Sequence, residues 1–486
     1  MGLLILDVGT TSMRGIVYDL KGNKLAVCQV PTHPVFGSDG TVSEDPVDWS
    51  DNTLRIVKEV VEKAGSDAIE AVAITSARTS ITPVDHDGKP LMDTIMWQDT
   101  RNRSICRELS CYNGKCFSET GARVNTVFSG SKMTWVRREC PELYPNVYKF
   151  LNIPEYIVYL MTGEFCSDYT YASRSGLMDI RRKVWDPEML KLYEVEEDKL
   201  CRLIEPGQTA GKVDAHFAEI SGLKEGIPVI HAGGDQQCAA VGQHVVKEGN
   251  VSLVLGTGGF LIAACDSVPE NLKDDVICNC SSIAGKYVIE SNVLACSAAF
   301  DWFAHQIYGM DKIDYGMTES ELSKEKDVTS CLVLPYFEGR GTPDWNANAR
   351  AAFLNVTLAT RRSEMFKSMM ESIFMELNNH LQAFRGYTKV DDIMISGGLT
   401  ASKTLNQLQA DVYGQPVHLN AEKESTALGA YLVALAGLGV YPSVEEAGEK
   451  LHEFGRGAEY APDMKKHEQY VEKQKLMNKV YQNLKE

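Results

Sequence analysis

An α/β fold built twice is what this sequence predicts, on three observations. Strand-like and helix-like segments alternate along its 486 residues. At the start of the chain an apolar strand runs into a Gly/Thr turn and leaves it as a second apolar strand, in "LLILDVGTTSMRGIVYDL". The pattern starts again about half a chain later, in "VSLVLGTGGFLIAAC" from Val251. A repeat on this scale indicates a duplicated domain, not a solenoid. The boundary falls near residues 245–250, which gives domains over 1–246 and 247–486.

The elements follow in order. Three antiparallel strands are expected at 3–6, 16–18 and 25–30, the last two joined by Lys21-Gly22-Asn23. A helix is expected over 46–62, with Pro46 near its start and Leu54, Val57 and Val61 on one face. A buried strand at 69–77 follows, and a strand at 80–85 pairs back near it, ending in His86-Asp87-Gly88. Another strand, 227–231, runs into Gly233-Gly234-Asp235, with a helix from about residue 236. In the second unit a third strand is expected at 286–290. Further on, a strand at 393–396 ends in Gly397-Gly398 before a helix that buries Leu405, Leu408 and Val412.

Composition excludes several classes. With 44% hydrophobic and 24% charged residues the chain is ordinary globular protein. A net charge of −17 argues against nucleic acid or an anionic membrane as partner. No apolar run approaches the roughly 20 residues of a membrane span, and the chain opens on a strand rather than a signal core. The 13 cysteines are scattered, and neither Cys106/Cys111/Cys116 nor Cys278/Cys280 has Cys-x-x-Cys spacing. That usage reads as reduced thiols in a cytoplasmic protein. There is no G-x-G-x-x-G and no Walker lysine motif, so neither a dinucleotide fold nor a P-loop is supported.

Four constellations carry possible chemistry. Successive amides in a tight turn make an anion-binding concavity, and glycine lets the backbone approach closely. Two Gly/Thr tips facing each other would therefore hold a polyphosphate from both sides; the plain alternative is two ordinary turns. Asp235 stands where ligands bind at the carboxyl ends of strands, or else caps a helix. The Gly397-Gly398 pair leaves room for a flat ring or a phosphate. "MWQDTRN" with Arg78 offers Trp97 as an apolar wall and Gln98, Asp99, Arg78 and Arg101 as directional partners, against the alternative of a loop with an ion pair.

Together these residues resemble the FGGY carbohydrate kinase family, in order along nearly the whole chain: Asp7-x-Gly-Thr-Thr-Ser, Trp97-Gln-Asp, Gly234-Asp-Gln-Gln, Gly256-Thr-Gly and Gly397-Gly-Leu. "VFSGSK", "SDYTYASRS", "PDWNANARAAF" and "ESTALGAY" extend the likeness, several of them closer to glycerol kinase than to xylulose kinase. The resemblance implies an actin-like, hexokinase-like fold: two RNase H-like domains flanking an ATP cleft. It implies Asp235 as the catalytic base, Thr10, Thr11, Ser12 and Arg14 as the first phosphate hairpin, and Asp7 near a magnesium ion. It implies Gly256 and Thr257 as the second hairpin, Gly397, Gly398 and Ser402 at the adenosine, and Arg78, Thr79, Trp97, Val127, Asp235 and Gln236 around the acceptor. ATP and Mg2+ are the expected cofactors, a small sugar or polyol the expected partner, and a homodimer is left open.

The departures bear on the acceptor. The glycerol enzymes have Arg-Glu where this chain has Arg78-Thr79, a tyrosine at Val127 and an asparagine at Ser402. A site built to hydrogen-bond a hydroxyl loses up to about 10⁴-fold when that partner is missing. The expectation is a C4–C6 ketose or polyol, xylulose kinase-like, with glycerol or an autoinducer-type furanone or diketone as alternatives. From other classes, an actin-like ATP-driven chaperone would not need the Trp97 pocket. A silent sugar-binding regulator would be expected to lose Asp7 or Asp235.

Overall fold

The computed structural model describes residues 2–311, 315–451 and 456–485. Its first sheet comprises β1 (Gly2–Val8), β2 (Ser12–Asp19), β3 (Lys24–Pro31), β4 (Ala71–Ser76), β5 (Thr209–Lys212) and β6 (Pro228–Gly234), in the order β5-β6-β4-β1-β2-β3. β1, β2 and β3 form the expected antiparallel meander. β4 lies parallel to β1 on its other side, and β6 parallel to β4. The unbroken run Leu3-Leu4-Ile5-Leu6 is fully buried because β1 is central and covered on both faces.

The second sheet repeats this plan. It comprises β7 (Gly249–Leu255), β8 (Gly259–Cys265), β9 (Ile277–Cys280), β10 (Tyr287–Val293), β11 (Val390–Ser396), β12 (Val417–Asn420) and β13 (Arg456–Tyr460), in the order β9-β10-β8-β7-β11-β12-β13. Here β7, β8 and β10 are the antiparallel meander, and β11 and β12 run parallel to β7. The sequence expectation omits edge strand β9, four residues with two cysteines and no apolar run to mark it.

Six helices matter for the site: α1 (Pro46–Ala64), α2 (Ser129–Glu139) and α3 (Asp235–Gly242) in the first half, α4 (Ser297–Gln306), α5 (Lys403–Tyr413) and α6 (Ser425–Gly437) in the second. α1 begins on an Asp45 cap and ends at Ala64, two residues beyond the expected end, with Gly65 as its C-cap. Its buried face is Trp49, Thr53, Ile56, Val57 and Val60, so Leu54 and Val61 lie at its margin rather than its centre. Leu405, Leu408 and Val412 of α5 are buried as expected. The strand expected at 80–85 is shorter (Thr82–Val84) and pairs with Lys149–Leu151 instead of β4. Thr79 has φ +70°, which turns the chain out of the first sheet just before it.

Helix α6 comes late in the sequence yet packs on the first sheet. Ala427, Leu428, Tyr431 and Leu435 share a core with Leu3, Ile5, Ile16, Ala73 and Ile230. Tyr431 stacks on Tyr18 at 4.8 Å between ring centres and donates to the Asp19 carbonyl at 2.7 Å. The end of the second unit thereby ties back onto the first. No helix among the described residues is long and apolar enough to cross a membrane, and the 13 cysteines are free thiols.

Candidate active site

In the first sheet β1, β4 and β6 run parallel, with Val8 opposite Ser76 and Ser76 opposite Gly234. Their carboxyl ends therefore bring together the 9–12 turn, the 77–80 loop and Asp235, the first and last of which lie more than two hundred residues apart in the sequence. Ligands bind at such edges because the loops there share one crevice. In the second sheet β7 and β11 are likewise parallel, Val254 opposite Ser396, so Gly256 and Gly397 emerge side by side. Gly397 has φ +99°, and a Cβ there would meet the Leu255 carbonyl at 2.4 Å; only glycine fits.

Between the halves lies a cavity of about 410 Å³. Of the expected site residues Thr10, Arg78, Thr79, Trp97, Val127, Asp235 and Gln236 line it. Trp97 donates its indole N–H to Thr10 Oγ1 at 2.9 Å, so the apolar wall and the first hairpin are one structure. Asp235 is the first residue of α3; its Oδ1 accepts the Gln236 amide at 2.7 Å, and a quarter of its side-chain surface stays open. It therefore does not serve as the helix N-cap, a position held by Gly234. Arg78 lies across Gly234, where a Cβ would come within 2.5 Å of Arg78 Cδ. That contact delivers the guanidinium Nε to 3.8 Å from Asp235 Oδ1.

Thr79 and Val127 are set from behind. The fully buried Lys132 of α2 donates to the Val127 carbonyl at 2.6 Å and to the Thr79 carbonyl at 3.4 Å. Of the "MWQDTRN" loop only Trp97 reaches the cavity wall. Asp99 is fully buried, accepts the Val42 amide at 2.6 Å and pairs with Arg101, which lies over the Trp135 ring. For those two residues the plain reading, an ion pair that fixes a loop, is what the structure contains.

The remaining expected residues lie outside the cavity wall. Thr11 and Thr257 are exposed at the two tips. The Gly256 and Thr257 carbonyls accept amides of Ser297 and Cys296 at 2.9 and 2.8 Å, which seats the second tip on the start of α4. Arg14, on β2, is ion-paired with Glu424, just before α6. Gly397 and Gly398 are exposed. Ser402 is fully buried: it caps α5 through the Leu405 amide at 3.1 Å and donates to Glu319 at 2.6 Å. Its hydroxyl is committed to the protein, which leaves the backbone of Gly397 and Gly398 as the open surface of that segment.

Burial and neighbouring charge tune the acids. The Asp235 carboxyl is raised above its ordinary pKa by burial, with Arg78 pulling the other way. Asp7 is pushed up to about 7 by burial and the nearby Asp235 charge, against Arg14. Lys132 is lowered to about 7 by burial, opposed by Asp99. Sequence reasoning missed several lining residues, among them Phe260, Arg174, Asn292 and Glu290. Two signals were available: Phe260 directly follows the second tip, and Glu290 is a lone charge inside an apolar strand.

Comparison with known proteins agrees with this architecture. Residues 2–242 match the N-terminal domain of the FGGY family of carbohydrate kinases, and residues 251–438 its C-terminal domain. A glycerol kinase of Thermococcus kodakarensis is 30% identical over 446 residues, covering 89% of this chain and 88% of the relative. The crystal structure of a xylulose kinase from Rhodospirillum rubrum superposes with a TM-score of 0.93 at 22% identity, over 100% of this chain and 99% of that one. That of Plasmodium falciparum glycerol kinase with ADP gives 0.90 at 24% identity, over 99% and 98%. At such identities the structures speak for the fold: two sheet-containing α/β domains, the duplicated architecture that the family resemblance implies. The chain belongs to the FGGY family of carbohydrate kinases and is an ATP-dependent carbohydrate kinase.

Proposed function

We propose that this kinase transfers the γ-phosphoryl group of ATP to a hydroxyl of a four- to six-carbon ketose or polyol, with Asp235 as the base. The observation that carries the reading is Asp235 itself, a partly open carboxylate in the wall of a 410 Å³ cavity that also contains Thr10 of the first hairpin. Phosphoryl transfer has a loose transition state, so catalysis is mostly positioning and charge stabilisation. Amides and hydroxyls of residues 10–12 and of Gly256 and Thr257 cradle the phosphates, with Arg14 beside them. The Gly397-Gly398 backbone receives the adenosine. Asp235 orients the acceptor hydroxyl and takes its proton late, as the new P–O bond makes that proton acidic. Trp97 packs against carbon–hydrogen faces, and Arg78 and Gln236 read hydroxyls.

The residues present fit a magnesium ion. Burial first, and then the acidic charge of Asp235 and Glu424, push the Asp7 carboxyl up to about 7, with Arg14 as the opposing cation. A bound cation would favour the ionised carboxylate there, and Asp7 would hold the ion, largely through water. When bound, magnesium offsets the charge of the β- and γ-phosphates.

The acceptor size follows from Thr79 and Val127. Neither offers the carboxylate or phenol that holds a three-carbon polyol, and a triol would leave the apolar space beside Val127 unfilled. A coupled ADP-release screen over C3–C7 polyols, ketoses and aldonates tests this, followed by competition of glycerol against D-xylulose, ribulose and erythritol. The best C4–C6 substrate is expected to exceed glycerol in kcat/KM by at least about 10²-fold, or roughly 2.7 kcal/mol of transition-state binding. Glycerol winning that competition would overturn the reading and leave glycerol phosphorylation, which the 30% identical relative favours.

A further inference from the structure

Arg78 lies between two carboxylates. Its Nη1 donates to Glu290 Oε1 at 3.1 Å, while its Nε stands 3.8 Å from Asp235 Oδ1, beyond hydrogen-bond distance. Glu290 comes from β10 of the second sheet, whereas Arg78 and Asp235 belong to the first half. Glu290 is built to keep this hold. Its Oε2 accepts Arg174 Nη2 at 2.9 Å, its Oε1 also accepts Asn279 Nδ2 at 2.9 Å, and the residue is only 8% exposed. The Arg78 and Arg174 side chains are themselves 9% and 11% exposed. A guanidinium so desolvated must keep a carboxylate partner. Were Glu290 withdrawn, a shift of about 1 Å would bring Arg78 into direct contact with Asp235.

We propose that Glu290 is a positioning residue that holds Arg78 off the catalytic base, leaving Asp235 free to engage the acceptor hydroxyl. This rests on the reading of Asp235 as that base. Because Glu290 belongs to the second half, the hold exists only while β10 lies against the first half, so the base becomes available together with the closed cleft.

The test is E290Q alone and in an Arg78→Met background, with single-turnover transfer from labelled ATP as the readout. E290Q is expected to lower the transfer rate about 10²-fold, the scale of a disabled base. KM for ATP and the thermal midpoint should stay near wild type. In the Arg78→Met background, where no guanidinium remains to collapse on Asp235, the same change should matter less than about 3-fold. An unchanged rate for E290Q, or an equal loss in both backgrounds, overturns the proposal. If E290Q does not fold, E290D carries the test, since it keeps a carboxylate but draws it back by one carbon: a loss of at least tenfold that vanishes with Arg78→Met supports the proposal, and a loss that persists overturns it. D235N measured alongside separates the two readings. If D235N keeps full turnover, the assignment of the base fails; if only the E290Q pattern fails, the base stands without this device.

Discussion

At the carboxyl edge of β1, β4 and β6 the first half presents side chains: Asp7, Arg78 and Asp235, buried or half-buried charges with named partners. At the matching edge of β7 and β11 the second half presents backbone: Gly256, Gly397 and Gly398, with Thr257 the one exposed hydroxyl at the tip. The strand order is the same, the chemistry opposite. On the proposed reading, a polyphosphate and a flat base would ask for amides and close approach, which glycine supplies. A neutral hydroxyl that must be oriented and deprotonated asks for fixed charge in a dry site. Glu290 crosses the divide, a second-half side chain that pairs with first-half arginines.

Substitutions break this contrast most strongly at the first edge. Asp235→Asn should keep nucleotide binding and lower turnover by about 10²–10³-fold, read as sugar-dependent ADP release. Near-normal turnover in this variant would remove the base from the account.

A smaller effect sharpens the acceptor side. Thr79→Glu with Val127→Tyr restores the two polar groups of the glycerol enzymes and fills the space beside residue 127. The ratio of kcat/KM for glycerol to that for the best C4–C6 substrate should rise about tenfold. A ratio that stays put would mean these two positions do not set acceptor size.

At the two hairpin tips, one on each edge, the side chains should matter less than the backbone. Thr11→Val and Thr257→Val each delete one exposed hydroxyl and should raise KM for ATP by about 3- to 10-fold. If neither KM nor turnover moves, the tips act through their amides alone, or are only turns.

The smallest expected effect is one of stability, at Lys132. Its pKa is lowered to about 7 in the folded protein, against about 10.4 unfolded. Between those values the unfolded chain binds the extra proton, so folding stability rises with pH across that window as the penalty of burying a charged ammonium is relieved. The midpoint difference between wild type and Lys132→Met should therefore shift in favour of wild type by a few degrees from pH 7 to pH 9.5. A flat difference would show that Lys132 keeps its charge through that range.

Much of this was legible in the chain. The two apolar-strand, Gly/Thr-tip, apolar-strand signals specified both meanders, because local hydrophobic pattern and turn chemistry decide an antiparallel hairpin. The ordered motifs specified the family and named Asp235, Arg78 and Trp97, and the cavity contains them. Other features needed long-range contacts. The true face of α1, the partner of residues 82–84 and the docking of α6 on the first sheet depend on which surface lies opposite, and helical or strand periodicity carries no address. The burial of Ser402 as a cap on α5 depends on Glu319 reaching it from another segment. The arrangement of Arg78 between Glu290 and Asp235 joins residues 212 positions apart for one pair and, for the other, the ends of two separate strands. Sequence determined what each strand end could offer. Tertiary structure decided which charges meet, because in a desolvated cleft a displacement of about 1 Å selects which carboxylate an arginine pairs with, and no local pattern encodes that distance.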